Sequence, residues 1–232
     1  MTTSHPPSVA AEKPASRCIF VTGATGFLGR ALVPALLQRG HRVQALARAE
    51  SVSRLAPGCE TVSGDALEAA TFVQQVAPAD TWVHLVGISH PAPWKARAFA
   101  DVDLTSVRAA LAAARIAGIR HFVYLSVAQP APVMRAYVAA RTRGEKLVHS
   151  SGLAATMVRP WYVLGPGRHW PRLLRPVYWL FERLPATRAT ALRLGLLTRE
   201  EMTCALVQAV ETPPTGTRIL DVPAIRNAHT KE

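Results

Sequence analysis

The amino-acid sequence predicts an α/β fold: a doubly wound parallel sheet with helices on both faces and a small C-terminal region. Three observations predict it. Short apolar runs alternate with segments of helical spacing from Cys18 to Pro160. The connections between them are short, and several helical segments end in a glycine. The first apolar run stops at a glycine-rich turn that opens a helix.

Each element follows from local pattern. "CIFV" (18–21) is a short strand, and "FLGRALVPALLQRG" (27–40) has helical apolar spacing closed by Gly40, with Pro34 as a flaw that could kink it. "HRVQALAR" (41–48) alternates as a strand does, and "CETVSGD" (59–65) is a shorter strand ending at Asp65. "ALEAATFVQQVA" (66–77) reads as a helix and "TWVHLVG" (81–87) as a buried strand. A long alanine-rich helix over 97–118 stops at Gly118, and "RHFVYLSV" (120–127) is the next strand. A helix over 133–152 and a sixth strand, "AATMVRP" (154–160), complete the alternation. Near the end, "TREEMTCALVQAVETP" (198–213) carries a capping box of Thr198 and Glu201, and "GTRILDVP" (216–223) reads as a closing strand.

A chain of 232 residues, 49% hydrophobic, suffices for one sizeable domain. Residues 1–16 read as a disordered tail rich in Ser, Pro and Ala, 17–160 as the core, and 161–232 as a substrate-side segment of the same domain. The net charge of +12 comes almost wholly from arginine and favours an anionic partner: a phosphate-bearing cofactor, a membrane surface or nucleic acid. Basic stripes interleaved with aromatics, zinc spacings and RNA-binding signatures are absent, which argues against nucleic acid and gives no metal site. Three cysteines without a Cys-x-x-Cys pair point to a reducing, cytoplasmic setting. The N-terminus lacks the apolar region of a signal peptide, and no uncharged apolar run reaches membrane-spanning length.

The turn "VTGATGFLG" (21–29) carries the first chemistry. Gly23 permits the tight turn, Gly26 lets backbone approach a pyrophosphate, and Gly29 lets the helix pack closely on the strand. With Thr25, Phe27 and Leu28 these residues present amide groups and a helix N-terminus to a dinucleotide diphosphate. A merely structural turn is the plain alternative. An NAD-preferring site carries an acidic residue at the end of the second strand; here stands Arg48, with Arg30 just past the loop, so NADP is favoured over NAD. Asp65 sits where a carboxylate meets the adenine amino group.

Taken in order, "TGATGFLG", "SGDA", "VHLVG", "GIRHFVYLSV", Tyr137 with a basic residue four on, and "MVRPWYVLGPG" resemble the short-chain dehydrogenases/reductases, in particular the extended and atypical branches that include NAD(P)-dependent epimerases/dehydratases and NmrA-like proteins. The resemblance runs from Arg17 to Arg226 and implies a Rossmann-type fold. It implies cofactor contacts for Asp65, Ala66, Val86 and Gly87, and it puts Pro160 to Val163 where backbone meets the nicotinamide carboxamide. In that family Tyr is the general acid or base toward a carbonyl or alcohol, Ser hydrogen-bonds the same oxygen, and Lys binds the nicotinamide ribose and favours ionised Tyr. Ser126 takes the Ser place and Tyr137 the Tyr place. Arg141 falls where Lys is expected, Asp103 where a relay Asn is expected, and Glu145 matches an acidic residue on the same helix. Arginine keeps its proton at any working pH, so a relay through a deprotonated lysine is closed to this chain. Each residue also has a plain structural reading: Ser126 as a strand-end hydroxyl bonded to backbone, Tyr137 as a half-buried aromatic.

Two functions remain open. One is an NADP(H)-dependent oxidoreductase of a small or lipophilic carbonyl or alcohol. The other is a non-catalytic NADP(H)-binding redox sensor or assembly factor, as the resemblance to NmrA-like proteins and a complex I accessory subunit implies. The segment after the sixth strand is short for a nucleotide-sugar epimerase. "LLRPVYWLFERL" (173–184) sets apolar and aromatic residues between arginines. It reads as a core helix, or as a lid suited to a hydrophobic substrate or the edge of an anionic membrane.

Overall fold

The computed structural model describes residues 15–88, 96–131, 133–166 and 183–230. Most of the lid segment, through residue 182, lies outside them.

Seven parallel strands form one sheet, in the order β3-β2-β1-β4-β5-β6-β9. They are β1 (Cys18–Thr22), β2 (Arg42–Ala47), β3 (Glu60–Ser63), β4 (Thr81–His84), β5 (His121–Leu125), β6 (Ala154–Val158) and β9 (Thr217–Leu220). A separate two-stranded parallel sheet is formed by β7 (Tyr162–Leu164) and β8 (Leu196–Thr198). The order reverses between β1 and β4, and that reversal opens a crevice at the carboxyl ends of the strands.

Helices cover both faces, as parallel strands require. On one side α1 (Gly29–Gln38), α5 (Arg199–Glu211) and α6 (Val222–His229) enclose a core of Leu32, Leu36, Leu197, Met202, Leu206 and Ile225. On the other side α2 (Thr105–Ile116) and α3 (Arg135–Ser150) enclose an aromatic core. There Phe20 and Trp82 meet at 4.6 Å between ring centroids, with Phe72 and Phe122 beside them. A nine-residue helix, α4 (Pro185–Arg193), precedes β8.

Helix ends follow the sequence closely. Gly40 adopts φ +86°, its N–H donates to Leu37 O and that of His41 to Leu36 O, the paired bonds of a Schellman close. Pro34 sits inside α1 without ending it. Thr198 and Glu201 form the expected capping box, with the Thr198 N–H donating to Glu201 Oε2 at 2.6 Å.

Two sequence expectations need correction. The stretch 66–77 is not an α-helix but two short 3₁₀ turns, Ala69–Thr71 and Val73–Gln75. The Thr71 hydroxyl donates to Glu68 O and accepts from the Asp65 N–H, and Phe72 breaks out (φ −141°) to fill the aromatic core. Apolar burial of one large ring overrides helical spacing. The segment 97–118 is helical, but its first part is a π-turn, Phe99–Leu104, before α2. The helix α6 was not expected; Asp221 as N-cap, accepting from the Ala224 N–H, and Pro223 in the first turn were its signals.

Phe72→Ala should remove about 3–5 kcal/mol of stability, the cost of emptying a large aromatic site. Urea denaturation should show a lowered midpoint with an unchanged slope.

Candidate active site

The carboxyl ends of β1 to β6 border a cleft of about 650 Å³. At its floor Gly23 turns the chain with φ +81°, and a Cβ there would lie 2.8 Å from the Leu85 carbonyl carbon. Only a residue without a side chain lets the exits of β1 and β4 touch. The Gly26 N–H donates to Gly23 O at 3.0 Å and closes the turn. A Cβ on Gly29 would meet Gly23 O at 2.4 Å, so the start of α1 presses directly onto the loop.

Of the sequence-identified cofactor residues, Gly23, Thr25, Gly26, Phe27, Leu28, Arg48, Asp65, Ala66, Val86, Gly87, Pro160 and Val163 all line this cleft. Gly29 does not line it and acts through packing; Arg30 is exposed away from it. Asp65 Oδ1 accepts the Leu67 N–H at 2.9 Å. At the exit of β2 the cleft gains two residues that sequence reading missed, Ser51 and Arg54. They lie on a 3₁₀ turn, Ala49–Arg54, and Arg54 Nη2 donates to Ser51 Oγ at 2.5 Å. Their signal in the sequence was a second arginine one turn beyond Arg48. Arg48 itself pairs with Glu50 at 3.2 Å in solvent.

The other end of the cleft holds Ser126, Tyr137 and Arg141. Ser126 follows β5, and its N–H donates to Val158 O at 2.7 Å, so its backbone continues the pairing with β6. Its hydroxyl is buried and has no hydrogen-bond partner among the described residues. Tyr137, on the first turn of α3, is half-buried, its ring centroid 5.2 Å from that of buried Phe99. Arg141 comes one turn later on the same helix face, with its guanidinium carbon 5.4 Å from the Tyr137 ring centroid.

The Arg141 head is buried and heavily engaged. Nη1 donates to Leu125 O at 2.9 Å and to Val86 O at 3.3 Å, and Nε lies 3.5 Å from Asp103 Oδ2. Burial opposes its charge, yet Tyr137, Tyr124 and Asp103 around it outweigh burial and raise its pKa further. Asp103 is fully buried, and burial raises its pKa against the opposing pull of Arg141 and of the Ile88 N–H that its Oδ1 accepts at 3.1 Å. Glu145 points away from the cleft, in a bidentate pair with Arg159 at 2.8 and 2.5 Å.

Beneath these groups runs a closed polar chain. Trp82 Nε1 donates to Thr22 Oγ1, which lies 2.9 Å from His84 Nδ1; His84 Nε2 is 3.3 Å from Ser106 Oγ, which donates to Asp103 O. The assignment that satisfies every member is neutral His84 with its proton on Nε2. Burial first, and the charge of Arg141 second, push the His84 pKa down to about 3.

A tight glycine turn, a helix N-terminus behind it and a cleft along the sheet's reversal define a dinucleotide-binding domain of the Rossmann type. The NAD(P)H-binding family profile matches residues 23–169, and the chain belongs to that family. It is 32% identical over 203 residues to a ceramide reductase of Caulobacter vibrioides, covering 85% of this chain and 62% of that one. It is 31% identical over 228 residues to a 3-diazoavenalumate denitrifying reductase of a Streptomyces, covering 85% of this chain and 73% of that one. A Bordetella bronchiseptica enzyme solved in complex with NAD⁺ shares the fold, with a TM-score of 0.66, 20% identity, and coverage of 89% of this chain and 76% of that one. The chain thus spans less than two thirds of the ceramide reductase's length.

Two buried histidines make the fold acid-sensitive. The His84 value of about 3 and the His121 value of about 4, the latter lowered by burial, Arg218 and Arg17, lie below the 6.5 of an unfolded histidine. Below that value the unfolded chain takes up protons that the folded chain refuses, so stability falls as pH drops through 6.5 toward 3 to 4. Each histidine contributes up to about 1.4 kcal/mol per pH unit. Urea unfolding between pH 7.5 and 5 should show this loss, and His84→Gln should flatten it.

Proposed function

We propose that the protein is an NADP(H)-dependent oxidoreductase that reduces the carbonyl of a small or lipophilic molecule, or oxidises the matching alcohol. The observation that carries this reading is the Ser126 hydroxyl, buried without a partner among the described residues in a cleft that Tyr137 also lines. A buried unpaired hydroxyl costs stability unless a ligand satisfies it.

The residues fit a nicotinamide dinucleotide, whose diphosphate would be received by the glycine loop and the start of α1. When bound, the cofactor supplies the hydride. Ser126 then donates a hydrogen bond to the substrate oxygen, and Tyr137 passes its proton to that oxygen. Arg141 offers fixed positive charge beside the Tyr137 ring as the proton leaves. Ile88, Val102, Val127, Trp161 and Tyr162 give the substrate end an apolar lining, which suits a lipophilic molecule. The Caulobacter relative is named for a lipid, ceramide.

Arg48, Ser51 and Arg54 at the exit of β2 support NADP over NAD. Asp65, at the exit of β3, is the only carboxylate among the described residues that line the cleft. Guanidinium groups suit a 2′-phosphate, whereas a ribose diol calls for a carboxylate at the β2 exit.

A second reading, a non-catalytic NADP(H)-binding sensor or assembly factor, draws on one observation: Arg141 Nη1 is committed to Val86 O and Leu125 O, and the guanidinium is paired with Asp103. Tyr137→Phe separates the two. For the enzyme it should abolish NADPH consumption with a carbonyl panel and leave NADPH affinity within about twofold of wild type. A wild-type protein that binds NADPH and turns over no carbonyl would favour the sensor.

Cofactor choice is tested by fluorescence titration. Arg48→Ala with Arg54→Ala should weaken NADPH binding about 10- to 100-fold, the worth of one or two charge-assisted bonds, and leave NADH binding little changed.

A further inference from the structure

We propose that Asp103 and Arg141 form a charge-balanced clamp that positions the floor of the cleft and Tyr137, Arg141 acting through backbone carbonyls rather than on a bound ribose. The catalytic part of this inference rests on the function proposed above; the clamp itself does not.

The pair touches three consecutive residues at the exit of β4. Arg141 Nη1 donates to Val86 O at 3.3 Å, and Asp103 Oδ1 accepts the Ile88 N–H at 3.1 Å. Between them, a Cβ on Gly87 would lie 1.8 Å from Arg141 Nη2, so the guanidinium occupies the space a side chain would need. The same Nη1 holds Leu125 O at 2.9 Å, the carbonyl immediately before Ser126. The guanidinium carbon also sits 5.4 Å from the Tyr137 ring centroid. One buried group therefore sets the distance between the two hydroxyl-bearing residues of the site and ties both to the cleft floor.

The chemistry requires arginine. Its planar head holds two carbonyls through Nη1 while Nε stands 3.5 Å from the Asp103 carboxylate, whereas an ammonium presents a point charge on a flexible stem. Asp103 is required in turn, because a cation this buried needs an anion, and the pair is only 3% and 0% exposed. The π-turn that carries Asp103 also supplies Phe99, which packs on Tyr137 at 5.2 Å between ring centroids. Tyr137 is thus held by that turn directly through Phe99 and indirectly through Asp103 and Arg141.

The experiment uses the full chain in three forms: Arg141→Lys, Asp103→Asn, and the apolar pair Asp103→Leu with Arg141→Met. The apolar pair is included because replacing a buried ion pair by apolar groups preserves folding where single changes do not. Three quantities are measured: hydrogen exchange at the Ile88 amide in cofactor-free protein, NADPH affinity by fluorescence, and the kcat and KM of carbonyl reduction. Every variant that folds should show faster Ile88 exchange, by about tenfold or more where the Asp103 carboxylate that accepts this amide is replaced, the worth of one lost charge-assisted bond, and to a smaller degree in Arg141→Lys, which keeps that acceptor. The apolar pair should keep a Tm within a few degrees of wild type and yet lose most of kcat, a separation that a purely stabilising role would not produce. Wild-type Ile88 exchange in Arg141→Lys, or wild-type kcat in the apolar pair, would overturn the clamp. Absence of NADPH binding in wild type would overturn the functional reading alone, since the exchange measurement needs no cofactor.

Discussion

The structure depends on one close approach, the contact of the β1 exit with the β4 exit at Gly23 and Leu85. With no Cβ at Gly23 and with φ +81°, the chain leaves β1 against the Leu85 backbone and turns at once toward α1. Any side chain there would push the two strand ends apart. Their apposition puts the start of α1 over the sheet's reversal and leaves the cleft running both ways from it, toward Arg48 and Arg54 on one side and toward Ser126 and Tyr137 on the other. The sheet's own hydrogen bonds continue into this region. The Leu85 N–H donates to Thr22 O and the Ser126 N–H to Val158 O, so the cleft floor is an extension of the ladder rather than a set of loose loops.

Most of the fold was legible because its signals are local and agree with one another. Glycines at 40, 118 and 152 end their helices with positive φ, as the sequence pattern requires. Thr198 and Glu201 cap α5 by a geometry readable from spacing alone. The misreading over 66–77 has a tertiary cause: Phe72 packs among core residues from other elements, and helical periodicity carries no information about them. The π-turn over Phe99–Leu104 was illegible for a similar reason, since its residues pack on α3 and the β4 exit rather than on each other.

The site was legible to different depths. The residues named at the glycine turn and the strand ends nearly all line the cleft, because glycine and arginine at strand ends have few other uses in such a turn. Ser51 and Arg54 escaped because a 3₁₀ turn, absent from the sequence pattern, folds them back toward Arg48. At the other end of the cleft, the resemblance to the family pattern named Ser126, Tyr137, Arg141 and Asp103 but could not say which atoms Arg141 engages. That depends on where Val86, Gly87 and Leu125 lie in space, and these residues come from two strands whose apposition the spacing of α3 does not encode.

The substitution of arginine for the lysine expected from the resemblance is therefore not an isolated change. A guanidinium at position 141 needs Gly87 to make room and a carboxylate at position 103 to balance its charge, and it uses two carbonyls that strands leave open at their ends. Those needs converge on residues from β4, β5 and the π-turn, each of which also borders the cleft or packs on a residue that does. Asp103 in turn connects through Ser106 and His84 to Thr22, the last residue of β1 before the glycine turn. Neutral His84 keeps that chain uncharged, so the net charge under the cleft stays that of one cation and one carboxylate. The same buried polar network thus reaches from the glycine turn to the helix that carries Tyr137, through hydrogen bonds from Thr22 to Asp103 and an ion pair from Asp103 to Arg141.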